Sequence, residues 1–138
     1  MRRTATAVWK GSIKEGAGNL TTQSTTLKDT QYSYKSRFES GVGTNPEELI
    51  AAAHAGCFAM ALSQILGAAG FVPESLDVTA TVTMDPEKLA ITTSHLALQA
   101  KVPDIDPQKF QECADTAKAN CPVSKVLNLD IELEATLL

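Results

Sequence analysis

Polar and apolar positions alternate along the first forty residues in three runs, 6–14, 19–25 and 32–39, rich in β-branched and aromatic side chains and separated by Gly16, Gly18 and the polar Lys28-Asp29-Thr30. That period of two predicts three strands joined as an antiparallel meander. The pattern then breaks at Gly41-Val42-Gly43-Thr44. Asn45 stands where a helix cap belongs, Pro46 at the first helical position and Glu48 three residues after the cap. From Leu49 to Phe71 no Asp, Glu, Lys or Arg occurs, so the helix is expected to run to 68 or 69 and to stop at Gly70. Alternation returns over 76–84 and 91–102, joined by Asp85-Pro86-Glu87-Lys88 as a hairpin. Asp106-Pro107 opens a second helix, with Phe110, Cys113, Ala114 and Ala117 at helical spacing and an end near Asn120. Cys121-Pro122 starts a short third helix, and 128–137 closes as a strand with Leu129, Ile131, Leu133 and Ala135 on one side. Strands in antiparallel runs give an α+β fold, expected as one domain over 1–138.

The apolar stretch is long enough to cross a bilayer. It also holds His54, Ser63, Gln64 and three glycines and lacks flanking clusters of Lys or Arg, so a buried central helix is the expectation and no membrane is invoked. A helix apolar all round must be covered on every side, which 138 residues can hardly do alone. Its small residues, among them Ala51 to Ala53, Ala55, Gly56, Ala59 and Ala61, let another backbone approach, which motivates a homodimer packed around it.

Charge narrows the partners. A formal net charge of -4 with singly scattered lysines offers nothing to neutralise phosphates, so nucleic-acid binding is set aside. Residues 1–10 lack the apolar run and cleavage site of a secretory signal, which predicts a cytoplasmic protein. Three cysteines in such a chain argue for reduced thiols rather than a disulfide framework.

Cys57 lies in the middle of the apolar helix. A catalytic thiol must be a thiolate, and burial opposes that, so a cation is needed beside it. Of the three arginines, Arg2 and Arg3 lie at the terminus, whereas Arg37 sits within the alternating run Tyr32 to Glu39 and is the natural candidate. A partly buried guanidinium needs a carboxylate. Glu48 is placed to reach back to the cap, leaving Glu47 free to point elsewhere. Glu47 precedes Cys57 by ten residues, roughly 15 Å of helix, so Arg37 must bridge part of that gap or the carboxylate must come from a second chain. Cys121 reads either as a plain helix cap or as a thiol with lowered pKa at a helix start. Cys113 reads as core and His54 as a packed histidine. A metal site built from Cys57, Cys113, Cys121, His54 and His95 has no Cys-x-x-Cys pair to support it. Phe38, Phe58, Met60 and Phe71 are candidate walls for an apolar substrate, or simply core.

The order of residues decides among these. Gly43-Thr44-Asn45-Pro46-Glu47-Glu48-Leu49-Ile50-Ala51-Ala52-Ala53-His54-Ala55-Gly56-Cys57-Phe58, with Asn120-Cys121-Pro122-Val123-Ser124 downstream, resembles the OsmC/Ohr family of osmotically inducible protein C and organic hydroperoxide resistance proteins. The Val8-Trp9-Lys10-Gly11 strand and Ser36-Arg37-Phe38-Glu39 extend the likeness, the latter toward the OsmC branch. The resemblance implies an intertwined homodimer with antiparallel sheets around a long central helix. It implies a thiol peroxidase without metal, flavin or haem, acting on organic hydroperoxides and in some relatives hydrogen peroxide. By that likeness Cys57 is the peroxidatic cysteine, Cys121 the resolving cysteine, Arg37 the cation that stabilises the thiolate and Glu47 its carboxylate partner. A small dithiol, of lipoyl type or carried on a lipoylated protein, is the implied reductant. The competing classes are a non-catalytic stress-response or ligand-binding module on the same scaffold and the Cys/His metal protein.

Overall fold

In the computed structural model, which describes Met1–Leu138, the N-terminal alternation becomes β1 (Ala5–Lys10), β2 (Ala17–Thr22) and β3 (Thr30–Ser33), an antiparallel sheet in that order. Ala7 pairs with Leu20 and Asn19 with Gln31. Gly18 on β2 leaves room for the ring of Tyr32, which a side chain there would strike, and Trp9 stacks obliquely on that ring at 5.4 Å between centroids.

The third strand is shorter than its pattern predicts. After Ser33 the chain turns into a helix of five residues, α1 (Tyr34–Phe38), so Arg37 sits on a helix and not on an alternating strand. The cause is local. Ser33 accepts from the Ser36 N–H at 3.2 Å while Ser36 Oγ accepts from the Ser33 N–H at 2.9 Å, a reciprocal capping box. Tyr34 and Phe38, four apart, then pair their rings at 4.8 Å. Alternation over Tyr32 to Glu39 concealed this, because Ser-x-x-Ser and the Tyr/Phe spacing fit a helix equally well.

The long helix, α2 (Pro46–Ala68), has the expected start: Asn45 Oδ1 accepts from the Glu48 N–H at 2.8 Å. Glu48 does not complete a capping box, because its carboxylate accepts from the Thr44 hydroxyl at 3.3 Å instead. Gly43, with φ +113° and the Gln31 carbonyl against it, makes the turn into the helix in a way no other residue could without strain. The chain divides into two compact units, Met1–Leu49 and Ile50–Leu138, and α2 runs from the first into the second.

In the second unit, β4 (Ser75–Asp85) and β5 (Ala90–Lys101) form the predicted hairpin, its turn held by Asp85 Oδ1 accepting from the N–H groups of Glu87 and Lys88. Then come α3 (Pro107–Asn120), capped by Asp106, and α4 (Pro122–Val126). The last strand, β6 (Asp130–Leu137), pairs parallel to β5, which the intervening helices permit by crossing the chain back over the sheet. The sheet order is β4-β5-β6.

Two stripes build the core of this unit. On α2 the buried residues are His54, Phe58, Leu62 and Leu66, at intervals of four; on β5 they are Ser94, Leu96, Leu98 and Ala100, at intervals of two. Phe110, Cys113, Ala114 and Ala117 of α3 join them. Burying a leucine or phenylalanine side chain contributes about 1.5–3 kcal/mol, so these apolar positions dominate the unit's stability. The helix is not covered all round within the chain: Ala52, Ala53, Gly56, Ser63, Gln64 and Gly67 are exposed, and Met60 is 77% exposed.

Candidate active site: a thiol pair and an arginine–carboxylate pair

Pro122 has no N–H to give, and it drives the residue before it out of helical backbone. Cys121 therefore adopts ψ 125° and serves at once as the end of α3, its N–H donating to the Ala117 carbonyl at 2.8 Å, and the start of α4, its carbonyl accepting from the Lys125 N–H at 3.0 Å. This corner carries the buried Cys121 sulfur to within 2.9 Å of Cys57 Sγ, 64 residues away in sequence. Both thiols are free. The separation is longer than a disulfide bond, about 2.05 Å, so the two sulfurs are in contact without being bonded.

The two sulfurs are not equivalent. Cys57 is half-buried and opens on a cavity of about 730 Å³ lined by Met60, Ala61, Ser63, Gln64 and Pro122, whereas Cys121 is fully buried and does not reach it. Burial pushes the Cys57 thiol up, and the hydrogen bond with Cys121 pushes it further; the Val123 N–H opposes them and loses. Burial would raise Cys121 as well, but the hydrogen bond with Cys57, the N–H and hydroxyl of Ser124 and the Val123 N–H overcome it and bring that thiol below its ordinary value. The surroundings of Cys57 within this unit therefore oppose the thiolate that an attacking Cys57 requires.

His54 enters the same cluster. Its Nδ1 lies 2.7 Å from Ser94 Oγ and its Nε2 lies 2.9 Å from Ser124 Oγ, and all three residues are buried. Burial lowers the imidazole below its ordinary 6.5 and keeps it neutral. A histidine in an apolar helical stripe and a serine in an apolar strand alternation would each be costly alone, about 1–3 kcal/mol per orphaned group. They meet each other, and no buried side-chain polar atom is left without a partner.

In the first unit, α1 presents Arg37 to Glu47 at the start of α2. Arg37 Nη2 donates to Glu47 Oε1 at 2.7 Å, and Nε donates to Oε1 and Oε2 at 3.2 Å each. This forked grip fixes the guanidinium better than an ordinary surface pair, with the two side chains 38% and 13% exposed. Arg37 also lies 5.2 Å from the Phe38 ring centre and lines a cleft of about 250 Å³ with Trp9, Tyr32, Tyr34 and Phe38.

The remaining candidates disperse. Cys113 is core; His95 stands on the exposed side of β5, 3.1 Å from Glu132; with His54 held by serines, the five potential metal ligands do not converge. Of the proposed substrate walls, Phe58 is fully buried core and Phe71 packs against that core; Met60 alone lines the Cys57 cavity, and Phe38 belongs to the arginine cleft. Arg2 and Arg3 lie exposed at the terminus. Ser94 and Ser124 had not been singled out in the sequence. Ser94 carries a signal nonetheless, as the one polar residue among the buried positions of β5, but only the fold places it opposite His54.

Comparison with known proteins gives the family. The family model described as OsmC-like protein matches residues 39–136. The chain is 47% identical over 133 residues to peroxiredoxin OsmC of Escherichia coli (strain K12), covering 95% of this chain and 93% of that protein. It is 30% identical over 120 residues to organic hydroperoxide resistance protein OhrB of Bacillus subtilis (strain 168), covering 86% and 88%. The crystal structure of Bacillus subtilis OhrB superposes with a TM-score of 0.67 at 26% identity, covering 96% of this chain and 98% of that one. An OsmC-like protein of unknown function from Vibrio cholerae shares the fold at a TM-score of 0.76 and 17% identity, covering 98% and 99%. With its fold and most of its length held in common with these proteins, the chain belongs to the OsmC-like family.

Proposed function

We propose that this protein is a cysteine-based peroxidase that reduces organic hydroperoxides to alcohols. The observation that carries the reading is the meeting of two free thiols at 2.9 Å, one of them open to a cavity and the other sealed behind it. The Cys57 thiolate attacks the distal oxygen of the hydroperoxide, the O–O bond breaks, and the departing alkoxide takes a proton to leave as alcohol. Cys57 is then a sulfenic acid. Cys121, already in contact, attacks its sulfur; hydroxide leaves and becomes water, and a Cys57–Cys121 disulfide closes before further oxidation can occur. A small dithiol, of lipoyl type or borne on a lipoylated protein, restores both thiols by exchange and departs as its own disulfide. Met60, Ala61 and Pro122 give the cavity apolar walls suited to an alkyl or lipid hydroperoxide.

Because burial and Cys121 both oppose the Cys57 thiolate, the first step needs a positive charge, and Arg37 is the residue assigned to supply it, oriented by Glu47. The protein works in the cytoplasm, without metal or organic cofactor, as a single-domain homodimer whose second chain covers the exposed face of α2. Sedimentation at the mass of one chain would count against the dimer.

Intact-mass spectra after one equivalent of cumene hydroperoxide provide the test. The expected product is 2 Da lighter than the reduced protein, the loss of two hydrogens from the Cys57–Cys121 pair, with Arg37→Ala reaching it much more slowly. A protein whose mass does not change, or whose thiols react no faster than free cysteine, is a binding module and not a peroxidase.

A further inference from the structure

His54 is fully buried and takes no part in either pair, yet it sits one helical turn from Cys57. On α2 it precedes Cys57 by three residues; at the corner, Ser124 follows Cys121 by three. Helical residues three apart share a face. The same two segments are therefore joined by two rungs, Cys57 Sγ to Cys121 Sγ at 2.9 Å and His54 Nε2 to Ser124 Oγ at 2.9 Å. The order reverses from one segment to the other, 54 before 57 against 124 after 121, so a shift of α4 along α2 that parts one rung parts both.

The second rung has a fixed foot. His54 Nδ1 lies 2.7 Å from Ser94 Oγ, and Ser94 is 0% exposed on β5, the central strand of its sheet. The short helix α4 has five residues, and the bond from Ser124 to His54 is the only side-chain hydrogen bond it makes to another element. Apolar contact is non-directional and would let so short a helix shift against α2. A hydrogen bond fixes distance and direction together.

We propose that His54, anchored by Ser94, and Ser124 are positioning residues that hold the Cys121 corner on α2, and that this strut sets the contact from which the Cys57–Cys121 disulfide closes. The proposal deepens the peroxidase reading above and rests on it. It concerns the second step alone. Once Cys57 is a sulfenic acid, Cys121 as its thiolate attacks that sulfur, the S–S bond forms as the S–O bond breaks, and the hydroxide that leaves takes up a proton to become water. Groups held in contact react as if at very high concentration, and a misplacement of about 1 Å can cost about a hundredfold. The peroxide step takes no nucleophile from the corner, so loosening the strut slows closure and spares oxidation.

Rapid-quench mass spectrometry with cumene hydroperoxide, read beside the thermal unfolding midpoint, tests the strut. Ser124→Ala cuts the link to the corner, whereas Ser94→Ala removes another buried hydroxyl from the same imidazole and leaves His54 on Ser124. Each variant loses one buried hydrogen bond, so both midpoints should fall by a similar few degrees. Sulfenic acid should form on Cys57 at the parent rate in both. Disulfide closure should be about tenfold slower in Ser124→Ala and within about twofold of the parent in Ser94→Ala. Closure at the parent rate in Ser124→Ala overturns the proposal. So does slowing that is equal in the two variants or in step with their loss of stability, which makes His54 core packing alone. If Cys57 forms no sulfenic acid, the peroxidase reading fails instead, and equilibration with reduced and oxidised glutathione, which uses no peroxide, decides the strut. There the Cys57–Cys121 disulfide should be about tenfold less favoured in Ser124→Ala and little changed in Ser94→Ala; equal equilibria in all three proteins sink it.

Discussion

Cys57→Ser should consume no hydroperoxide above the background of the reagents, while keeping the fold. The substitution changes one atom at a half-buried helical position, and the stripe beside it, Phe58, Leu62 and Leu66, is untouched. A serine hydroxyl stays protonated near neutrality and is a poor nucleophile toward peroxide oxygen without an adjacent base. Its nearest candidate base, His54, is committed through both ring nitrogens to Ser94 and Ser124. Peroxide loss followed by a coupled or colorimetric assay, with circular dichroism as the check on folding, measures this. Residual turnover well above background would move the reaction to another thiol, and Cys113, in the core with 3% exposure, could not be reached.

Cys121→Ser should react once and then accumulate damage. The first oxidation does not need Cys121 as a nucleophile, so Cys57 still becomes a sulfenic acid. No sulfur then stands 2.9 Å away to trap it. Cys57 faces the open cavity, where further peroxide carries it to the sulfinic and sulfonic acids, beyond the reach of a dithiol. Mass spectra taken during turnover should gain about two and then three oxygens on Cys57, with consumption falling toward zero within a few equivalents. Sustained turnover with an unmodified Cys57 would mean that an external thiol resolves the sulfenic acid directly and that Cys121 is only the corner of two helices. The variant also relieves Cys57 of a neighbour that raises its pKa, so its single oxidation should be no slower than in the parent.

The two thiols differ in what their surroundings favour. Burial and the hydrogen bond with Cys121 push the Cys57 thiol up, whereas hydrogen bonds with Cys57, Ser124 and Val123 outweigh burial and bring the Cys121 thiol down. That is the arrangement suited to closing and reopening a disulfide. Attack on peroxide requires the charge on Cys57, and Arg37, held by Glu47, is the group we propose for that task.

Much of this was legible in the sequence wherever a local rule decides the structure. Asn45-Pro46 starts α2, Asp106-Pro107 starts α3 and Asp85 to Lys88 turns the hairpin, because caps, fixed proline φ and short polar turns act within a few residues. The spacing of apolar residues likewise marked Phe110, Cys113 and Ala117 as core. Where two local rules competed, the pattern misled. Residues 34–38 alternate like a strand and cap like a helix, and the serine capping box won, which moved Arg37 from β3 to α1.

Sequence by itself determined the family through the ordered segments around Cys57 and Cys121, and it marked those two cysteines, Arg37 and Glu47 as the residues to examine. Only the tertiary structure decided that Cys121, bent out of the helix by Pro122, touches Cys57, and that His54 is gripped by serines 40 and 70 residues downstream. The physical reason is range. Capping and periodicity are written in neighbouring residues, whereas a sulfur's charge is set by whichever groups the packed chain brings within hydrogen-bonding distance.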